Sequence, residues 1–161
     1  MSAEERIQRL ERSVNQLIQE IERLPADVLY RPPSEGEWPV MSTLAHLAEL
    51  LPYWAHQALG IASRPGEPFG RTHDDPDRIG AVTEHGHDSL DTAVTRIRAG
   101  LEECARLLRA LPAEAWSRAG QHSTRGPMTI EQLVDAFLVS HAEEHAVQIE
   151  ASVKSLAGAR G

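Results

Sequence analysis

Residues 129–149 read TIEQLVDAFLVSHAEEHAVQI. Ile130, Leu133, Val134, Phe137, Leu138, His141, His145 and Ile149 recur in steps of mostly three and four, the stripe of an amphipathic helix facing a core. Thr129 and Gln132 open it as a capping box, in which hydroxyl and amide side chain each satisfy an otherwise orphaned backbone N–H. Two positions on this apolar stripe are histidines. His141 and His145 are four residues apart, so their Cβ atoms lie about 5–6 Å from each other on one face. That spacing is used to grip a single metal ion, and here it points toward the interior.

Working outward, the preceding chain carries three more such stripes. Ile7, Leu10, Val14, Leu17, Ile18, Ile21 and Leu24 predict a first helix that Pro25 ends. Residues 25–37 hold three prolines and a glycine and read as a loop. A second helix is expected from Trp38-Pro39 through Val40, Leu44, Leu47, Leu51, Trp54 and Ala58 to Gly60, kinked by Pro52. Residues 62–78 are turn-rich, and a short helical piece is expected at 79–85. The third helix is expected to start at Asp88 as N-cap and run through Val94, Ile97, Leu101, Leu108 and Leu111 to Pro112. Residues 112–128 read as another loop, the tail after Leu156 is expected to fray, and no internal repeat or convincing strand alternation is present. Four helices of about 20 residues predict an all-α four-helix bundle, residues 1–161 as a single domain, with one long connection between helices 2 and 3 over residues 62–87.

Composition narrows the function. Sixteen Lys and Arg against 24 Asp and Glu give a net charge of −8, which excludes a nucleic-acid binder that tracks phosphates with clustered cations. The single cysteine, Cys104, excludes an internal disulfide and a cysteine-cage metal site, and it fits a reducing compartment. The charged N-terminus has no signal-peptide stretch and the apolar runs are far too short to span a bilayer, so a cytoplasmic protein with no membrane partner is expected. Histidine is over-supplied, with 8 His against 7 aromatic residues.

A third imidazole for the site is expected from His46, beside the core face of the second helix. Two histidines on one helix and one from a neighbour make a three-nitrogen set that leaves coordination positions open for water or substrate. Imidazole donors suit Zn, Ni, Fe or Cu. The competing reading is that each is a core histidine hydrogen-bonded to backbone or carboxylate, though three uncompensated imidazoles in one interior would be costly. His141-Ala-Glu-Glu144-His145 also matches H-x-x-E-H, the inverted zinc-protease pattern. Those proteases draw an acidic ligand from far downstream and need a longer chain, whereas 16 residues follow His145 here.

Trp38-Pro-Val40, Leu44-Ala-His46-Leu47 and Ser140-His141-Ala-Glu-Glu-His145-Ala-Val-Gln-Ile149, in this order and spacing across almost the whole chain, resemble the DinB-like family. The resemblance implies an up-down-down-up bundle, a homodimer, and a divalent metal held by His46, His141 and His145, with Zn or Ni foremost and Fe or Mn after them. It further implies a metal-dependent thiol S-transferase type of enzyme, in which the metal activates a low-molecular-weight thiol or water toward a small-molecule substrate. The chain departs from the family at Pro39, where Ser or Thr is common, and in lacking the extra C-terminal domain of many mycothiol-dependent members. A metal-binding helical bundle without catalytic turnover is the alternative.

Further residues border this site. Glu49, one turn after His46, is a candidate to orient a ligand histidine or accept a proton, and Glu144 is a similar candidate; a solvated helix face is the plain alternative for Glu49. Arg71 and Arg125, on loops, are candidates to bind an anionic thiol cofactor. His85-Gly86-His87-Asp88 is weighed as a border of the site against a solvated loop with a helix cap. His73 with Asp74, Asp75 and Asp77 lacks the ordered spacing of a calcium loop and reads as a turn. His56 and His122 have no partner arguable from sequence, and Cys104 reads as buried and inert.

Overall fold

A computed structural model describes residues 1–158. In chain order the elements are α1 (Ala3–Ile21), α2 (Ala26–Tyr30), α3 (Val40–Ser63), β1 (Pro68–Phe69), α4 (Pro76–His85), α5 (Leu90–Arg109), a 3-10 turn (Ala113–Ala115), β2 (Ala119–His122), β3 (Gly126–Thr129) and α6 (Ile130–Leu133). A π-helical segment, Val134–Val139, then runs without a break into α7 (Ser140–Gly158). The long helices form where apolar residues repeat at helical spacing. α1 buries Ile7, Leu10, Val14, Leu17, Ile18 and Ile21 and is closed at its start by a Ser2–Glu5 capping box.

Side-chain pairs fix how the bundle runs. Arg6 bonds Asp135 at 2.8 Å and Arg9 bonds Glu143 at 2.8 Å, so α1 and the last helical rod are parallel. Arg109 at the end of α5 reaches Glu4 and Glu11, whereas Arg98 reaches back to Glu22, so α1 and α5 are antiparallel. Gly100 of α5 packs on Ala48 and Pro52 of α3, and His56 bonds Glu103 three residues on, so α3 and α5 are parallel. A Cβ at Gly100 would stand 2.9 Å from the Ala48 carbonyl oxygen, which is why the two backbones can approach there. The bundle is up-down-down-up, and its parallel α3–α5 pair requires the long crossover expected from the sequence.

Several local expectations are corrected. The loop at 25–37 contains α2, which buries Val28 and Leu29. α3 continues through Pro52 and past Gly60 to Ser63. α4 begins at Pro76, because the Asp75 side chain accepts from the backbone N–H groups of Asp77 and Arg78. Ser89 rather than Asp88 caps α5, since the Asp88 carboxylate is engaged by His85 Nδ1 at 2.9 Å. The loops at 62–78 and 112–128 supply a three-stranded sheet of order β1-β2-β3, parallel between β1 and β2 and antiparallel between β2 and β3. Its strands of two to four residues, interrupted by glycine and proline, are too short to show an alternation. Ala157 and Gly158 are still helical, and the remainder of the tail expected to fray lies outside the described residues. Among the described residues no helix is long and apolar enough to cross a membrane.

Candidate metal centre

His46 projects from α3, and His141 and His145 project from the first turns of α7. Each offers a ring nitrogen within 4.8 Å of those of the other two. The ring centroids are 5.6 Å apart for His46 and His141, 5.4 Å for His46 and His145, and 4.5 Å for His141 and His145. Both α7 histidines come from the helical spacing of the sequence, set down by the π segment that precedes them. The lining is tight: His46 is 3% exposed and His145 is 8% exposed, with His141 half-buried.

The hydrogen bonding of these rings is incomplete. Nδ1 of His145 meets the side-chain oxygen of Gln148 at 3.2 Å, which leaves Nε2 buried and without any partner. Nδ1 of His46 is likewise buried without a hydrogen bond, the nearest carboxylate oxygen, of Glu49, standing 3.8 Å away. Two orphaned polar atoms in one cluster would each cost on the order of 1–3 kcal/mol if nothing bound there. Burial, assisted by the neighbouring imidazoles and Arg78, pushes His46 down to about 3 and His141 down to about 4. Burial also lowers His145, against the pull of Gln148 and Glu144. All three are neutral imidazoles near pH 7, the form that binds a metal ion.

The cluster opens into a cavity of about 1190 Å³ between the bundle end and the loops. Trp38 stands edge-on to His46 at 5.7 Å, and Trp54 stacks on Phe137 at 4.2 Å to form an aromatic floor. Arg71 and Glu49 are brought together, but with each other. The Arg71 guanidinium donates to both Glu49 oxygens at 2.5 and 2.7 Å, lies over the Tyr53 ring at 3.8 Å, and is 7% exposed. This pair ties the loop after β1 to α3 and sets Glu49 beside His46. Glu144 is exposed and lines the cavity, and Arg125 lines it with its guanidinium 4.8 Å from the Phe137 ring centre.

The other singled-out residues separate in the same way. His85 pairs with Asp88, and His56 with Glu103. Asp75 is a helix cap and the Asp74 carboxylate accepts the Thr72 hydroxyl, so among the described residues no cation cluster forms around His73, which lines the cavity instead. Cys104 is buried in the core, and burial pushes its thiol up to about 12. His122 and Arg78 also line the cavity, and sequence reasoning attached neither to it. His122 had no local signal to find it by, because the hairpin that carries it was not legible; Arg78 lies on α4, whose start was placed too late.

The sequence model of the DinB superfamily matches residues 2–149. Among solved structures, the fold is similar to YfiT from Bacillus subtilis, described as a probable metal-dependent hydrolase with an unusual four-helix bundle topology, at a TM-score of 0.79 and 20% identity over 96% of this chain and 87% of that one. TT2238, a four-helix bundle protein, aligns at a TM-score of 0.67 and 15% identity over 93% of this chain and 99% of that one. A mycothiol-dependent maleylpyruvate isomerase aligns at 0.72 and 14% identity over 92% of this chain, which spans 61% of that protein. No curated protein matches the chain.

Proposed function

The chain belongs to the DinB superfamily, and from that membership together with the histidine cluster we propose that it is a metal-dependent enzyme acting on a small molecule, with His46, His141 and His145 as the ligands of a divalent ion. The observation that carries the reading is the pair of buried, partnerless nitrogens on His46 and His145. Neutral imidazoles with free lone pairs fit Zn or Ni first, and Fe or Mn after them. When bound, such an ion lowers the pKa of a thiol or a water molecule beside it. We favour a low-molecular-weight thiol as that nucleophile, in keeping with the mycothiol dependence of one structural neighbour; water would make the enzyme a hydrolase, as described for another.

The chain's own residues then have separate tasks. The Gln148 side-chain oxygen accepts the His145 Nδ1–H and so leaves Nε2 as the bare nitrogen. Trp38, Trp54 and Phe137 keep the cavity floor apolar and hold a substrate's carbon skeleton. Glu144, exposed at the cavity and with no arginine on its carboxylate among the described residues, accepts the thiol proton. The sulfur bonds to the electrophilic carbon, and the leaving group departs with its electron pair. Glu49, held by Arg71, positions rather than transfers. A cytoplasmic location and a homodimeric state belong to the same proposal.

The test is metal content after reconstitution, in the wild-type protein and in His141→Ala, followed by a thiol screen. One zinc or nickel per chain that His141→Ala loses, with conjugation of bacillithiol, mycothiol or glutathione to chlorodinitrobenzene, supports the reading. Metal without conjugation or ester hydrolysis leaves a metal-binding bundle without turnover. Failure of the wild-type protein to take up metal overturns the centre itself.

A further inference from the structure

The β2–β3 hairpin brings one imidazole to the cavity in a fixed tautomer. His122 is 8% exposed, and its Nδ1 faces three donors: the backbone N–H of Thr124 and of Arg125, both at 3.2 Å, and the Thr124 hydroxyl at 3.3 Å. A nitrogen that accepts backbone N–H groups carries no proton, so the proton resides on Nε2. Nε2 has no hydrogen-bond partner among the described residues, although the ring lines the cavity. The ring is also held in place from both sides. It stacks on Phe137 at 5.0 Å, and Gly70 approaches so closely that a Cβ there would stand 2.9 Å from its Cδ2.

Beside it stands an uncommitted cation. The Arg125 guanidinium lies over the Phe137 ring and has no carboxylate or carbonyl partner among the described residues. The other arginines of the cavity are engaged. Arg71 is saturated by Glu49, and Arg78 donates to the His73 carbonyl at 2.8 Å while lying 5.4 Å from the centre of Trp38, on the side of His46. A neutral N–H donor and a guanidinium on one hairpin, above a flat aromatic surface, match a planar group with two acceptor oxygens.

We propose that His122 Nε2–H and Arg125 form a carboxylate-binding subsite, which places the carboxylate of a small, flat organic acid on the hairpin wall of the cavity. This names a substrate class for the metal-centre reading and rests on it for the chemistry, while the binding itself needs no metal. The subsite accepts a proton from nothing and donates none away; it orients the acid across the aromatic floor toward the histidine cluster.

The probe is benzoate, with benzamide as its neutral counterpart, titrated into metal-free protein and followed by nuclear magnetic resonance. Benzoate is expected to bind more tightly than benzamide, and Arg125→Met to weaken benzoate binding about tenfold or more while leaving benzamide unchanged. His122→Phe, which keeps the ring stack and removes the donor, is expected to weaken it similarly. In the wild-type protein the His122 ring should show its proton on Nε2, and that proton should shift downfield on adding benzoate. Absence of benzoate binding, equal binding of benzoate and benzamide, indifference to Arg125→Met, or a proton on Nδ1 would each overturn the subsite. Arg125→Met leaves both backbone bonds to Nδ1 in place, so the outcome does not depend on the hairpin surviving His122→Phe. Zinc uptake on reconstituting the same proteins separates the two readings: benzoate binding that depends on Arg125 in a protein that takes up no zinc retains the subsite and removes the metal centre, and zinc uptake without such benzoate binding does the opposite.

Discussion

The cavity has imidazoles on two walls, and the walls use them differently. On the helical wall, His46 and His145 each keep a buried nitrogen with no hydrogen bond, and the rings are held by α3 and α7. On the hairpin wall, His122 has its Nδ1 filled by backbone N–H groups and turns a proton outward. The same side chain thus offers lone pairs on one side and an N–H on the other. What decides is the partner of the second nitrogen: Gln148 for His145, the Thr124 and Arg125 amides for His122. The proposed cation-binding and anion-binding halves follow from that one choice.

The contrast breaks most sharply at a metal ligand. His145→Ala is expected to weaken zinc binding by at least about a thousandfold, roughly 4 kcal/mol, read by chelator competition. An unchanged affinity would mean that the helical wall is only a core. The same wall sets a pH dependence in the metal-free protein. From about pH 7.5 upward, a unit above their ordinary 6.5, these histidines are neutral in both the folded and unfolded chain and contribute no slope. Below it the unfolded chain takes up protons that His141 refuses until about 4 and His46 until about 3. Stability therefore falls as pH drops from 6.5 toward 4, by roughly 1 kcal/mol per pH unit for each of the two, and urea melts of the wild type and of His46→Gln should differ in that slope.

The link between the walls comes next. Glu49→Ala removes the two-pronged partner of the buried Arg71 guanidinium, leaving it only Asp75 at 3.5 Å, and is expected to cost about 3 kcal/mol in chemical denaturation, with Glu49→Gln costing less. On the hairpin side, Gly70 has φ +90° and its missing Cβ would meet the His122 ring. Gly70→Ala is expected to cost about 1–3 kcal/mol and to shift the His122 resonances while sparing those of His141 and His145. The smallest effect belongs to the junction of hairpin and helix, where Thr129→Ala removes a capping box for about 1 kcal/mol.

These walls were unequally legible in the sequence. Stripes such as Ile7 to Ile21 declare a helix because one period repeats over about four turns, and the Thr129–Gln132 cap reads directly because its partners are three residues apart. The clustered histidines inherit that clarity, for His141 and His145 sit on a stripe and His46 beside one. The hairpin does not, since β2 and β3 are four residues each and are stabilised by pairing rather than by a pattern of their own. The Glu49–Arg71 pair joins residues 22 apart through a loop path that no periodicity encodes. Asp88 has the chemistry of a cap, but His85 claims its carboxylate and Ser89 caps α5 instead.

The π segment Val134–Val139 has a consequence for how this chain tolerates length changes. A π turn is an α-helix that has absorbed one extra residue, and each residue of an α-helix advances the chain by 100°. A π turn spends one more residue than an α turn on nearly the same rotation, so deleting a single residue between Leu133 and Ser140 would let the rod relax to an uninterrupted α-helix with everything beyond it still on nearly its present face relative to α6. His141 and His145 would stay turned toward the cavity, and Ala142, now buried at 1% exposure, toward the core. The widened turn thus absorbs a change of length, whereas deleting one residue between Val40 and His46, in the unbroken first turns of α3, would turn that imidazole by about 100° relative to the helix start.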